Sequence, residues 1–152
     1  MRRVVTSLLL VPALLVVLSG TAMAASMQTN GQGLTHGGAS LGFNAQSDLS
    51  GHLTYISHDE TFKVWCKDYT HYGQHSSPDG VLRSKVDATC VDQNGATIYF
   101  EGYFIDRGEP GINDRARLYF SYDPAFASDP DNDPNAIVDK GIIQNGNIQI
   151  HP

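Results

Sequence analysis

The sequence is poor in cysteine, in basic charge and in helical periodicity. Only Cys66 and Cys90 occur in 152 residues, and no Cys-x-x-Cys spacing is present to support redox work. Charged residues make up 17% of the chain, with Lys+Arg 10 against Asp+Glu 16. Setting aside Arg2 and Arg3, which belong to the N-terminal segment, leaves 8 basic groups against 16 acidic ones and a net charge of −8. That balance argues against a nucleic-acid or phosphate binder, because such proteins carry a basic stripe to neutralise the backbone. No apolar run long enough to span a bilayer follows the first two dozen residues, so an integral membrane protein is not expected. Gly-x-Ser-x-Gly, His-Glu-x-x-His and phosphate-cradling Gly loops are all missing, and no catalytic residue is assigned.

What is present begins with an export signal. Arg2 and Arg3 form a positive end, Val4 to Leu18 an apolar stretch, and Ala22-Met23-Ala24 a small-x-small site. The pattern predicts secretion with cleavage after Ala24. In an oxidising compartment an even pair of cysteines implies one disulfide, Cys66–Cys90.

Residues 25 to 38 are small, polar and Gly-rich and read as a flexible arm. From Ala39 onward, short alternating runs are separated by Gly, Asn and Asp. Seven strand candidates emerge, at about 39–44, 51–58, 61–68, 82–92, 96–106, 115–122 and 146–151. The single domain, 39–152, is therefore expected to be all-β: a seven- to eight-stranded antiparallel β-sandwich, or alternatively a small β-barrel. One hairpin can be argued to the register. Asn94-Gly95 invites a two-residue turn, but that would set Cys90 opposite Tyr99 and Ala88 opposite Glu101. A three-residue loop, Gln93-Asn94-Gly95 with Gly95 left-handed, instead puts Val86, Ala88 and Cys90 on one face with Ile98, Phe100 and Phe104. Cys66 shares the parity of Phe62 and Val64, so both cysteines face inward. The proline-rich stretch 123–139 reads as a surface loop.

Several constellations could carry chemistry. Asp129, Asp131 and Asp133 alternate like the front half of a calcium loop, although Pro134 replaces the usual glycine and Lys140 the twelfth-position acid. Calcium is thus the one cofactor the pattern admits; otherwise the run is a solvated acidic loop with Asp-Pro turns. His71 and His75 have the spacing of helical zinc ligands, but Gly73 and the following Ser76-Ser77-Pro78 argue for a loop. Glu101 falls on the outer face, and Glu60 and Glu109 fall in turns. A small secreted hydrolase or lyase would draw its acid/base groups from Glu101, His71 or His75. Trp65, Tyr99 and Tyr103 share the outward parity of their strands and are the expected contact residues for a carbohydrate or protein.

The segment Asp106-Arg107-Gly108-Glu109-Pro110-Gly111-Ile112-Asn113-Asp114 and the ending Gly146-Asn147-Ile148-Gln149-Ile150-His151 resemble bacterial secreted post-COAP domain proteins. So do Ala39-Ser40-Leu41-Gly42-Phe43-Asn44 and Gly51-His52-Leu53-Thr54-Tyr55-Ile56. The likeness runs from about residue 37 to the end, and the Asp/Pro stretch at 123–139 departs from it. The resemblance implies a small exported all-β domain and brings no catalytic residues with it. The expectation is a non-catalytic, secreted binding or surface-interaction module for an extracellular or cell-surface ligand, with the small hydrolase and a calcium-stabilised structural domain as alternatives.

Overall fold

The computed structural model describes residues 26–108, 110–128 and 131–152. The N-terminal stretch read as an export signal, Glu109 and Asp129 lie outside the described residues. The chain is all-β. Its strands are β1 (Gln28–Leu34), β2 (Ser40–Gln46), β3 (Ser50–Ile56), β4 (Lys63–Ser76), β5 (Leu82–Asp92), β6 (Thr97–Asp106), β7 (Arg115–Ser121), β8 (Ile137–Ile142) and β9 (Gln144–His151), with a 3-10 turn at Pro124–Ser128. All pair antiparallel in one sheet ordered β8-β7-β6-β5-β4-β3-β2-β1-β9. Each strand from β1 to β7 pairs with the next, and after β8 the chain passes from one sheet edge to the other through Ile143 alone. A single connecting residue spans only about 7 Å between Cα atoms, so the two edges must lie close together and the sheet curls into a nearly closed barrel.

Alternation drives the strands. In β2, Leu41, Phe43 and Ala45 are buried while Ser40, Gly42, Asn44 and Gln46 face out. The interior is aromatic: Phe43 stacks on Phe104 with centroids 4.0 Å apart, and Phe120 contacts Tyr55, Phe62 and Phe100 at 4.8, 5.6 and 5.1 Å. The Cys66–Cys90 disulfide lies inside the barrel and ties β4 to β5, both cysteines buried. The β5–β6 hairpin takes the three-residue loop, with Cys90 opposite Ile98, Ala88 opposite Phe100 and Gly95 at φ 80°.

Nine strands form rather than seven or eight, because β1 and β8 are added, and β4 is longer than expected. The Gly-rich segment expected to be a flexible arm contains β1, paired to both β2 and β9. Its glycines serve packing: a Cβ on Gly31 would sit 2.6 Å from the Phe43 ring. Strand β4 runs on through Gly73 to Ser76, so His71 and His75 are on a strand rather than in a loop. The Asp/Pro stretch ends earlier than expected, because β8 starts at Ile137 and pairs with β7.

Three aspartates close the barrel. Strand β9 has no neighbour on its outer edge, and the backbone N–H groups of Ile148 and Ile150 that point there are taken by the carboxylates of Asp114 (2.8 Å) and Asp106 (2.9 Å). The other Asp114 oxygen accepts from Arg107 N at 2.8 Å, and Asp114 itself is fully buried. On the β8 side, Asp139 accepts from the Thr35 hydroxyl, from Tyr55 Oη at 3.0 Å and from Gly37 N at 3.3 Å, which binds β8 to the β1–β2 turn. Burial and the Asp139 charge push the Tyr55 phenol well above its ordinary range. Charge-assisted bonds of this kind are the stronger class, and they also blunt an edge that would otherwise template another strand.

Candidate functional site

The outward residues of β4 to β8 form rows across the strands, about 5 Å apart from strand to strand and about 7 Å apart along each strand. One row runs His75, Arg83, Ile105, Arg115; the next runs Gly73, Lys85, Tyr103, Arg117, Lys140; a third runs His71, Asp87, Glu101, Tyr119, Val138. The first two rows enclose a cavity of about 410 Å³. Arg83, Lys85, Arg115, Arg117 and Lys140 line it, together with His75, and no carboxylate does among the described residues. Five of the 8 basic groups that follow Arg3 thus meet in one place, although the chain as a whole is acidic. Basic residues are scarce in this chain, but they are gathered.

The cations are arranged against their own electrostatics. Arg117 stands directly opposite Lys140 in the β7–β8 pairing, a like-charge cross-strand pair that destabilises a sheet. Among the described residues, none of Arg115, Arg117 and Lys140 forms an ion pair. Arg83 is held by one hydrogen bond, Nε donating to Ser77 Oγ at 2.5 Å. Lys85 is different. Its Nζ is 2.6 Å from Glu101 Oε2 and 3.7 Å from Asp87 Oδ1, and it lies 5.5 Å from the centre of the Tyr103 ring. Burial works to lower the Lys85 pKa, but the Glu101 hydrogen bond and the two carboxylate charges carry it above its ordinary value. Burial raises the Asp87 pKa, with Lys85 opposing and the Glu101 charge adding to the rise. Burial raises Tyr103 as well, and its bond to Glu101 adds to this.

The acidic stretch after β7 docks beside the cavity. The 3-10 turn packs on β6 with Phe126 buried. Tyr119 Oη donates to Asp131 at 2.5 Å, and Ser121 Oγ donates to Asp133 at 2.6 Å. Burial, then the bond to Asp131, pushes the Tyr119 phenol up to about 12. Two members of the calcium pattern are therefore engaged by β7 side chains, and the third, Asp129, is outside the described residues. No group of three or more His, Cys, Asp or Glu side chains is placed to hold a metal among the described residues.

The three aromatics singled out from sequence do face outward but do not converge. Tyr103 lines the cavity, half-buried, with the edge of Tyr119 6.4 Å away. Trp65, 39% exposed, pairs with Val91 three rows away, and Tyr99 lies between them opposite Thr89. Of the acid/base candidates, His75 lines the cavity and His71 stands opposite Asp87, while Glu101 is outward as expected but only 1% exposed. The cation cluster itself was missed. Its signature was two pairs of basic residues at i, i+2 in strand candidates, Arg83/Lys85 and Arg115/Arg117, a spacing that sets both members of each pair on one face.

No protein-family model matches the chain, and neither does any curated protein or solved structure.

Proposed function

We propose that this chain is an exported binding module that captures an anionic ligand, bearing carboxylate or phosphate groups, in the cation-lined cavity of β4 to β8. The observation that carries the reading is the gathering of five cationic side chains at that cavity, with Arg117 directly opposite Lys140. Like charges held side by side cost stability, and local conflicts of this kind are expected at functional sites. Arginine suits the role because its planar fork engages carboxylate and phosphate oxygens bidentately. Tyr103 and Ile105 on β6 supply an apolar floor between cationic walls on β5 and β7. The internal disulfide and the N-terminal export pattern support action outside the cytoplasm, as does the likeness to secreted post-COAP domains.

Calorimetric titration with trigalacturonate and with inorganic phosphate tests this. The expected result is binding of at least one of the two, weakened by added salt and reduced about tenfold or more by Arg117→Ala, since a hydrogen bond to a charged group contributes roughly 1.5–3 kcal/mol. Failure of both to bind at millimolar concentration, or equal affinity in Arg117→Ala, would overturn the proposal.

A further inference from the structure

The cations of the β4 to β8 cavity stand on two walls rather than in one knot. Arg83 on β5 and Arg115 on β7 both lie opposite Ile105, one on each side of β6. One row along, Lys85 and Arg117 flank Tyr103 in the same way, and Lys140 stands beyond Arg117. The walls are therefore two strand spacings apart at their Cα atoms, about 10 Å, with a half-buried tyrosine and isoleucine between them. Lys85 is drawn toward Glu101, whose carboxylate is 2.6 Å from its Nζ, so Arg83 is the main anion-reading group of the β5 wall. Its Nε donates to Ser77 Oγ, which holds the stem in place before any ligand arrives. The enclosed volume of about 410 Å³ falls among sites that take a whole small organic molecule, about 300–1,000 Å³. A lone inorganic anion would leave most of it to water.

We infer that the ligand is an acidic oligosaccharide lying across β6, with one uronate carboxylate at Arg83, a second at Arg115, Arg117 and Lys140, and a sugar ring on Tyr103 and Ile105. This rests on the anion-binding reading of the cavity and names the class of anion. Cations on both walls call for negative groups at two separated points of one molecule, each planar carboxylate meeting a planar guanidinium fork. The floor selects the body that carries them. A pyranose ring offers a face of C–H groups, which suits the flat apolar body of a tyrosine beside an isoleucine. An extended acidic peptide would instead set backbone N–H and C=O groups against the Tyr103 ring and the Ile105 side chain, which give them no partner, and such groups are costly to bury unpaired.

Calorimetric titration of the chain with trigalacturonate, galacturonate, inorganic phosphate and triglutamate is the test. Trigalacturonate should bind about tenfold or more tightly than each of the other three, because it alone reaches both walls with a ring on the floor. Arg83→Ala and Arg83→Gln should each remove about tenfold of the trigalacturonate affinity, the usual size for a lost bond to a charged group, without lowering Tm. Neither should weaken the binding of galacturonate or phosphate, which the β7 wall holds. Phosphate or galacturonate bound as tightly as trigalacturonate would leave the anion site standing and overturn only the spanning ligand. Triglutamate bound as tightly would assign the cavity to an acidic peptide and overturn it equally, as would an undiminished trigalacturonate affinity in both Arg83 variants. Failure of trigalacturonate and phosphate alike would overturn the anion site itself, and this inference with it.

Discussion

Strands β9, β1, β2 and β3 carry no Lys, Arg, Asp or Glu, whereas β4 to β8 hold all the charged residues found in strands. Both halves bury the same kind of interior, with Phe43 from one stacked on Phe104 from the other. They differ only in what alternates with that interior. On the uncharged half the outward residues cost little to hold in place, because an amide pairs with water or a neighbour without long-range repulsion. The charged half tolerates Arg117 beside Lys140 while burying Glu101 against Lys85. Net charge averages over both halves, so an overall −6 says nothing about either one.

The comparison breaks first where the halves are joined. Asp114→Ala leaves the N–H groups of Ile148 and Arg107 without their carboxylate partner, and two charge-assisted bonds lost in a buried site should cost about 3–5 kcal/mol. Urea unfolding should show a large fall in midpoint, with hydrogen exchange quickened first in β9. Equal exchange rates in the variant and the parent would mean the halves are held by packing alone.

Next in size is the disulfide, which lies at the β4–β5 edge of the charged half. Replacing Cys66 and Cys90 by Ala opens a link with a sequence separation of 24, for which the chain-entropy argument gives about 3 kcal/mol. Thermal denaturation of the double variant checks this.

Lys140→Glu sharpens the comparison in the opposite direction. It turns a like-charge pair into an ion pair opposite Arg117, so Tm should rise by a degree or a few, in line with roughly 0.2–1 kcal/mol for a cross-strand pair. Affinity for trigalacturonate or phosphate should fall. A variant that is both less stable and equally competent in binding would show that the cations serve the fold.

The smallest effect is a dependence on pH. Burial holds the folded Asp87 carboxyl above its unfolded pKa, so the protein takes up this proton more readily when folded. Its favourable contribution is therefore complete below the unfolded value of about 3.9 and is lost as pH rises through the raised one. Asp87→Asn should raise Tm at pH 7 relative to the parent, and the difference should vanish near pH 3. A destabilised variant at pH 7 would make the Lys85–Asp87 attraction the dominant contribution.

The sequence was most legible where alternation was dense and a turn was specified. The β5–β6 register follows from Val86, Ala88 and Cys90 needing apolar partners, and the cysteine pair follows from parity and number. It misled where glycine had two meanings. Gly31 and Gly33 look like linker residues, yet they are small because the Phe43 ring and the Ile143 side chain press against them, contacts across strands that composition cannot reveal. Strand β8 was hidden behind the prolines that precede it. The partners of Asp106, Asp114 and Asp139 could not be read from the sequence, because they are the Ile150 and Ile148 N–H groups and the Thr35 and Tyr55 hydroxyls, far along the chain. The cation cavity draws residues from five strands between His75 and Lys140, and only the paired i, i+2 spacing within β5 and β7 hinted that they share a face.

The most direct measurement is a titration of the isotopically labelled protein with trigalacturonate and with phosphate, followed by backbone amide NMR shifts. The account predicts saturable shifts from at least one of them, confined to β5 to β8 around Arg83, Tyr103, Arg115 and Arg117, with β9, β1, β2 and β3 undisturbed. Shifts centred on the uncharged strands, or no shifts from either anion, would contradict it.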